Sequence, residues 1–132
     1  MIKNAKSVFA FIGLIFSLFS ANIASAQNNG ATENQQSIND FNKAIELNPK
    51  DEVAYYNRGN TYRTLGNYQQ AINDYNKAIE LNPKDADAYC NRGVAYYALG
   101  NIDMAIQNLK MSAQLGLKRA QDYLRSKGIG WH

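Results

Sequence analysis

One cysteine, one histidine and two prolines in 132 residues exclude several kinds of protein. A single thiol, Cys90, forms no internal disulfide, so stability has to come from packing. The only histidine is the last residue, His132, and no metal cluster can be built around it. Without a second histidine there is no Ser–His or Cys–His pair for nucleophilic catalysis. Asp85 and Asp87 are close together but fall at a helix start, where acids suit the helix dipole. Gly128-Ile129-Gly130 does not lie between a strand and a helix, so it is no phosphate loop. No enzyme, cofactor or metal site is expected. Cys90 reads as a small apolar filler with no basic neighbour evident in the sequence.

Long apolar runs are also scarce, and the one present is N-terminal. Lys3 and Lys6 precede an apolar stretch from Val8 to Leu18, and Ala24-Ser25-Ala26 follows. A basic start, a short apolar middle and a small-x-small end mark a secretory signal peptide over residues 1–26. The run is shorter than the roughly 20 residues a membrane span needs, so no span is expected after cleavage ahead of Gln27. Export to the periplasm or the medium follows. The chain counts 14 bases against 11 acids, and removing Lys3 and Lys6 leaves 12 against 11. That balance does not call for nucleic acid. From Lys110 onward, however, five bases face one acid, Asp122.

Residues 27–35 are polar and read as a flexible leader. Beyond them the string NKAIELNPKD occurs twice, starting at Asn42 and at Asn76, 34 residues apart. Apolar residues recur at three-and-four spacing, as in Ile38, Phe41, Ala44 and Ile45, or Ala71, Ile72, Tyr75, Ala78 and Ile79. Asn48-Pro49 and Asn82-Pro83 end helices. Asp51 and Asp85 start the next ones. Gly66-Asn67 and Gly100-Asn101 close one helix and open another. Gly59 and Gly93 sit mid-helix, where glycine costs about 1 kcal/mol relative to alanine. That cost is explained if a neighbouring helix must approach there.

With these residues in place the chain resembles the tetratricopeptide repeat family, a 34-residue helix–turn–helix unit. Tyr55, Gly59, Tyr62, Ala71, Tyr75, Ala78 and Pro83 carry the pattern in one unit, and Tyr89, Gly93, Tyr96, Ala105 and Leu109 in the next. Arg58 and Arg92 replace the usual leucine, so their stems are expected to pack while their guanidinium groups reach water. Ser112 and Leu117 depart from the family's alanine and proline. The resemblance implies an all-α fold, a short α-solenoid of antiparallel helix pairs with about six helices. Residues 36–51 form a half repeat (the second helix only), 52–85 and 86–117 full repeats, 118–127 a capping helix and 128–132 a tail. The cap's outer face would carry Arg119, Asp122 and Arg125. Each unit buries its face against the next, which is why the letters recur. The helix from Gln36 to Asn48 lacks its usual partner, so its Ile38–Phe41 flank is expected to be exposed and to support weak self-association.

The resemblance also implies a concave groove lined by the first helices, receiving a protein or peptide partner. Its positions here are Tyr56, Asn57, Asn60, Arg63 and Thr64, then Asp87, Cys90, Asn91, Val94 and Tyr97, with Gln121 and Arg125 from the cap. Some members of the family clamp a C-terminal carboxylate with two asparagines, two lysines and an arginine. Asn60, Asn91 and Arg125 match three of those places, while Tyr56 and Gln121 stand where the lysines would be. The base excess after Lys110 would draw the acidic end of a ligand toward the cap. The leading expectation is an exported interaction scaffold. The alternative is a self-assembling accessory element of an envelope complex, acting through its end helices.

Overall fold

The computed structural model describes residues 29–132. The segment read as an export signal, 1–26, lies outside the described residues. Among the described residues, 29–35 fall in one unit and Gln36–His132 in another, which carries the repeats. Six helices are present among the described residues. They are α1 (residues 29–47), α2 (Glu52–Thr64), α3 (Tyr68–Leu81), α4 (Ala86–Ala98), α5 (Ile102–Gln114) and α6 (Lys118–Ser126). Consecutive helices from α2 onward pack on one another, and α2 also touches α4.

The helix boundaries follow from local chemistry. The Asp51 and Asp85 carboxylates accept from the backbone N–H of Ala54 and Ala88, both at 3.0 Å. Asn101 accepts from Met104 N–H at 3.3 Å, whereas Asn67 makes no side-chain cap. Gly66, Gly100, Gly116 and Gly128 all have positive φ. After each, the next residue donates back to a carbonyl in the last turn, as in Asn67 to Tyr62 and Ile129 to Leu124. This left-handed ending is cheap only for glycine. The segment 29–35, expected to be a loose leader, is helical. It contains no proline, and Thr32 closes locally on the Asn29 carbonyl.

Ala71, Ile72, Tyr75 and Ala95 form one core cluster, with Tyr56, Tyr62, Tyr68 and Tyr96 packed around it. Full burial of a side chain such as Ile72 stabilises by about 1.5–3 kcal/mol. The mid-helix glycines sit at the crossings. A Cβ on Gly59 would come within 2.9 Å of the Tyr75 ring, and one on Gly93 within 3.1 Å of the Ala105 carbonyl oxygen.

The two arginines do not reach into water as expected. Arg58 holds Asp74 through two bonds, Nε to Oδ2 at 2.8 Å and Nη2 to Oδ1 at 2.6 Å, and donates Nη1 to Asn42 at 2.7 Å. Thirty-four residues on, Arg92 donates to Asn108 and Asn76, both at 2.7 Å. Each arginine thus ties its own helix to the second helix of its unit and to the second helix of the unit before. Each also lies over a tyrosine, Tyr55 or Tyr89. The planar fork explains the choice, because it satisfies two helices at once.

Both ends differ from expectation. Ile38 is buried and Phe41 half-buried, so they do not form an open flank. Ile38 lies one turn before Asn42, on the side of α1 that Arg58 grips. The exposed large apolar residue of that helix is Leu47, at 88%. At the other end, residues 129–131 fold back on the last helix pair. Ile129 and Trp131 pack on the cluster of Ala113, Ala120 and Leu124, and Gln114 donates to the Trp131 carbonyl at 2.7 Å.

Candidate functional site

The first helices of the units, α2, α4 and α6, bring most of the expected groove residues together. Tyr56, Asn60 and Arg63 sit on one side of α2 by helical spacing. Asn91 of α4 faces them. The Tyr75 hydroxyl donates to Asn60 Oδ1 at 2.7 Å. Asn91 Nδ2 donates to the same oxygen at 2.9 Å and to the Tyr56 hydroxyl at 3.0 Å. The network fixes both amides across the seam between two units.

It also leaves two groups free. Asn60 Nδ2 and Asn91 Oδ1 have no protein partner among the described residues, and neither is a buried unsatisfied atom. They are therefore open to solvent, one donor beside one acceptor. A peptide unit offers the complementary pair, a carbonyl and an N–H.

Burial raises the Tyr75 hydroxyl to about 12, and the neighbouring Arg63 cation only partly offsets this. The folded value lies above the ordinary 10, so the unfolded chain loses this proton first. Stability linked to Tyr75 is complete below pH 10 and is lost as pH rises toward 12. The loss should amount to about 2–3 kcal/mol, at 1.36 kcal/mol per unit. Urea melts from pH 9 to 12 are expected to show a falling stability that Tyr75→Phe flattens.

The groove continues between α4 and α6 as a cleft of about 450 Å³, lined by Cys90, Val94, Tyr97, Leu109, Arg119 and Tyr123 among others. Tyr97 and Tyr123 expose 62% and 43% of their surface. Arg119 pairs with Asp87 across the cleft. Burial works against its charge, but Cys90 and Asp87 more than offset this and hold its pKa above the ordinary value. Cys90 thus has a basic neighbour that the sequence hid.

The cap contributes residues other than those expected. Gln121 donates to the Ala113 carbonyl at 2.9 Å and so turns toward α5. Arg125 bonds Asp122 at 2.9 Å and lies over the Trp131 ring, 5.6 Å from its centre. The folded-back segment 129–131 takes the edge those positions face. Arg119 and Tyr123 face the cleft instead, so Arg119 is no part of an outer face. Asn57 and Thr64 have no role in the network: Thr64 closes on the Asn60 carbonyl and Thr61 on that of Asn57. Residues 119 and 123 could have been found from their four-residue spacing opposite Val94 and Tyr97.

Three repeat models match the chain. One described as TPR repeat matches residues 59–100, and two described as tetratricopeptide repeat match 41–73 and 86–115. No curated protein sequence matches it. Among solved structures, the chain is similar to the first TPR of Spaghetti (RPAP3) bound to HSP90 peptide SRMEEVD. Their TM-score is 0.67 at 27% identity, over 72% of this chain and 77% of that one. It is also similar to MamA, with a TM-score of 0.63 at 34% identity, over 67% of this chain and 52% of that one. The chain therefore spans about half the length of MamA. The second TPR of Spaghetti, at 24% identity and a TM-score of 0.61, shares the fold.

Proposed function

The chain belongs to the tetratricopeptide repeat family, and from that premise we propose that its concave face holds an extended segment of a partner protein. The fold is that of a protein-interaction scaffold. The observation that carries the reading is the free donor–acceptor pair of Asn60 and Asn91, held rigid by Tyr56 and Tyr75. Rigid polar groups bind without first having to be ordered, which lowers the cost of association. A similar structure bound to a peptide supports the same use of the fold. The N-terminal signal pattern supports action outside the cytoplasm, periplasmic or secreted, by a mature chain beginning at Gln27.

One experiment addresses both parts. The tagged protein is recovered from its own cells with its partner, beside an Asn91→Ala variant. A hydrogen bond contributes about 0.5–1.5 kcal/mol, so the variant should hold its partner up to about tenfold more weakly while melting as a folded protein. Equal capture by a folded variant would remove the groove reading. The intact mass should lack residues 1–26, and a mass retaining them would remove the export reading.

A further inference from the structure

The concave face has three zones in order. Over α2 stands Arg63, whose guanidinium bonds the Tyr75 hydroxyl while its Nε is buried without a partner. None of the ion pairs among the described residues includes it. Next come the Asn60 and Asn91 amides. Then comes the cleft between α4 and α6, where Val94, Tyr97 and Tyr123 are exposed. Of the bases gathered after Lys110, three are paired and Lys127 lies over the Tyr123 ring at 5.8 Å. Arg119 is paired with Asp87, and Lys118 and Arg125 share Asp122.

We propose that the bound segment is an internal stretch of a partner chain, carrying a carboxylate side chain at Arg63 and a large apolar side chain in the α4–α6 cleft, about four residues apart. The proposal rests on the groove reading above and deepens it. Adjacent helices pack about 8–10 Å apart. The distance from a point over α2 to the seam beyond α4 is then roughly 13 Å, which four extended residues span at about 3.3 Å each. A guanidinium with no carboxylate of its own suits one side-chain carboxylate. The tyrosine rims and the cleft's volume suit an aromatic or leucine side chain.

A chain terminus fits less well. The places where lysines would flank a terminal carboxylate hold Tyr56 and Gln121, and Gln121 turns away toward α5. Arg125 is drawn off by Asp122 and Trp131. The free pair on Asn60 and Asn91 matches a peptide unit that continues in both directions. The acidic contact thus moves from the cap, where the sequence suggested it, to the opposite end of the groove.

The test is an array of random ten-residue peptides, one set acetylated and amidated so that no terminus is charged and a second set with free C-termini, probed with the purified protein. Bound peptides should be enriched in aspartate or glutamate about four residues from phenylalanine, tyrosine, tryptophan or leucine. Arg63→Gln should abolish the acidic enrichment and keep the apolar one; Tyr123→Ser should do the reverse. Binders lacking the acid, an acidic preference that survives Arg63→Gln, or selection only of peptides with a free C-terminus would overturn the proposal. If those binders are still lost in Asn91→Ala, the groove reading stands without it. Binders indifferent to Asn91→Ala, or no binder at all, would overturn both.

Discussion

Replacing Asp74 by alanine is expected to destabilise the stack by about 3–5 kcal/mol, the cost of leaving one partner of a buried ion pair alone. Asp74 is 5% exposed and lies inside α3. Its two oxygens take Nε and Nη2 of Arg58, whose Nη1 holds Asn42 of α1. The bond to Asp74 holds the guanidinium above its ordinary pKa against the opposing effect of burial. Without the carboxylate, Arg58 would be a half-buried cation with one neutral partner, and the joint between α1, α2 and α3 would open.

The second unit supplies the control. There Asn108 stands where Asp74 stands, and burial holds Arg92 below its ordinary pKa. The neutral version of the clasp is therefore compatible with the fold. Asp74→Asn should cost much less than Asp74→Ala. A double change to Arg58→Met with Asp74→Leu should return most of the loss, since apolar replacement of a buried pair is often neutral. Urea melts decide it. A loss under 1 kcal/mol for Asp74→Ala would mean that solvent reaches the pair and weakens it.

Leucine at Gly93 or Gly59 is expected to be nearly as damaging. Overpacking costs about 1–3 kcal/mol, and these sites fall at the upper end. At Gly93 even a Cβ meets the Ala105 carbonyl oxygen at 3.1 Å and Asn108 Cβ at 3.2 Å. Both belong to α5, so the helix itself has to move. At Gly59 the nearest atoms belong to the Tyr75 ring, which is fully buried and cannot swing aside. Displacing that ring would also break its bond to Asn60, so Gly59→Leu should weaken partner binding as well as lower the melting temperature. An unchanged melting temperature for both variants would contradict the crossing geometry.

The repeat, the helix ends and the core face were legible in the sequence because each has a short-range cause. Proline after asparagine, glycine at positive φ and aspartate at the cap act within one turn. Three-and-four spacing placed Ala71, Ile72, Tyr75, Ala78 and Ile79 inward, and all are buried. What was hidden depends on partners distant in sequence. Asp74 and Asn108 are polar residues buried against arginines sixteen residues earlier, and nothing local marks them as inward. A signal existed, since Asn42, Arg58 and Asp74 recur as Asn76, Arg92 and Asn108 at the repeat spacing.

The groove was half legible. Asn60 and Asn91 do meet, but Arg125 and Gln121 face an edge that the fold-back of Ile129 and Trp131 fills. Alignment to an interior repeat cannot foresee that Ile129 and Trp131 fold back onto α6. It likewise hid the pairing of Arg119 with Asp87, which depends on where α6 lies against α4.

The most direct test follows the side-chain amide signals of Asn60 and Asn91 by nuclear magnetic resonance as the recovered partner segment is added. Both should shift in step with binding, and those of Gln69 and Gln107, on second helices of the units, should stay still. Saturating binding that leaves the Asn60 and Asn91 signals unmoved would contradict the assignment of the partner to this face.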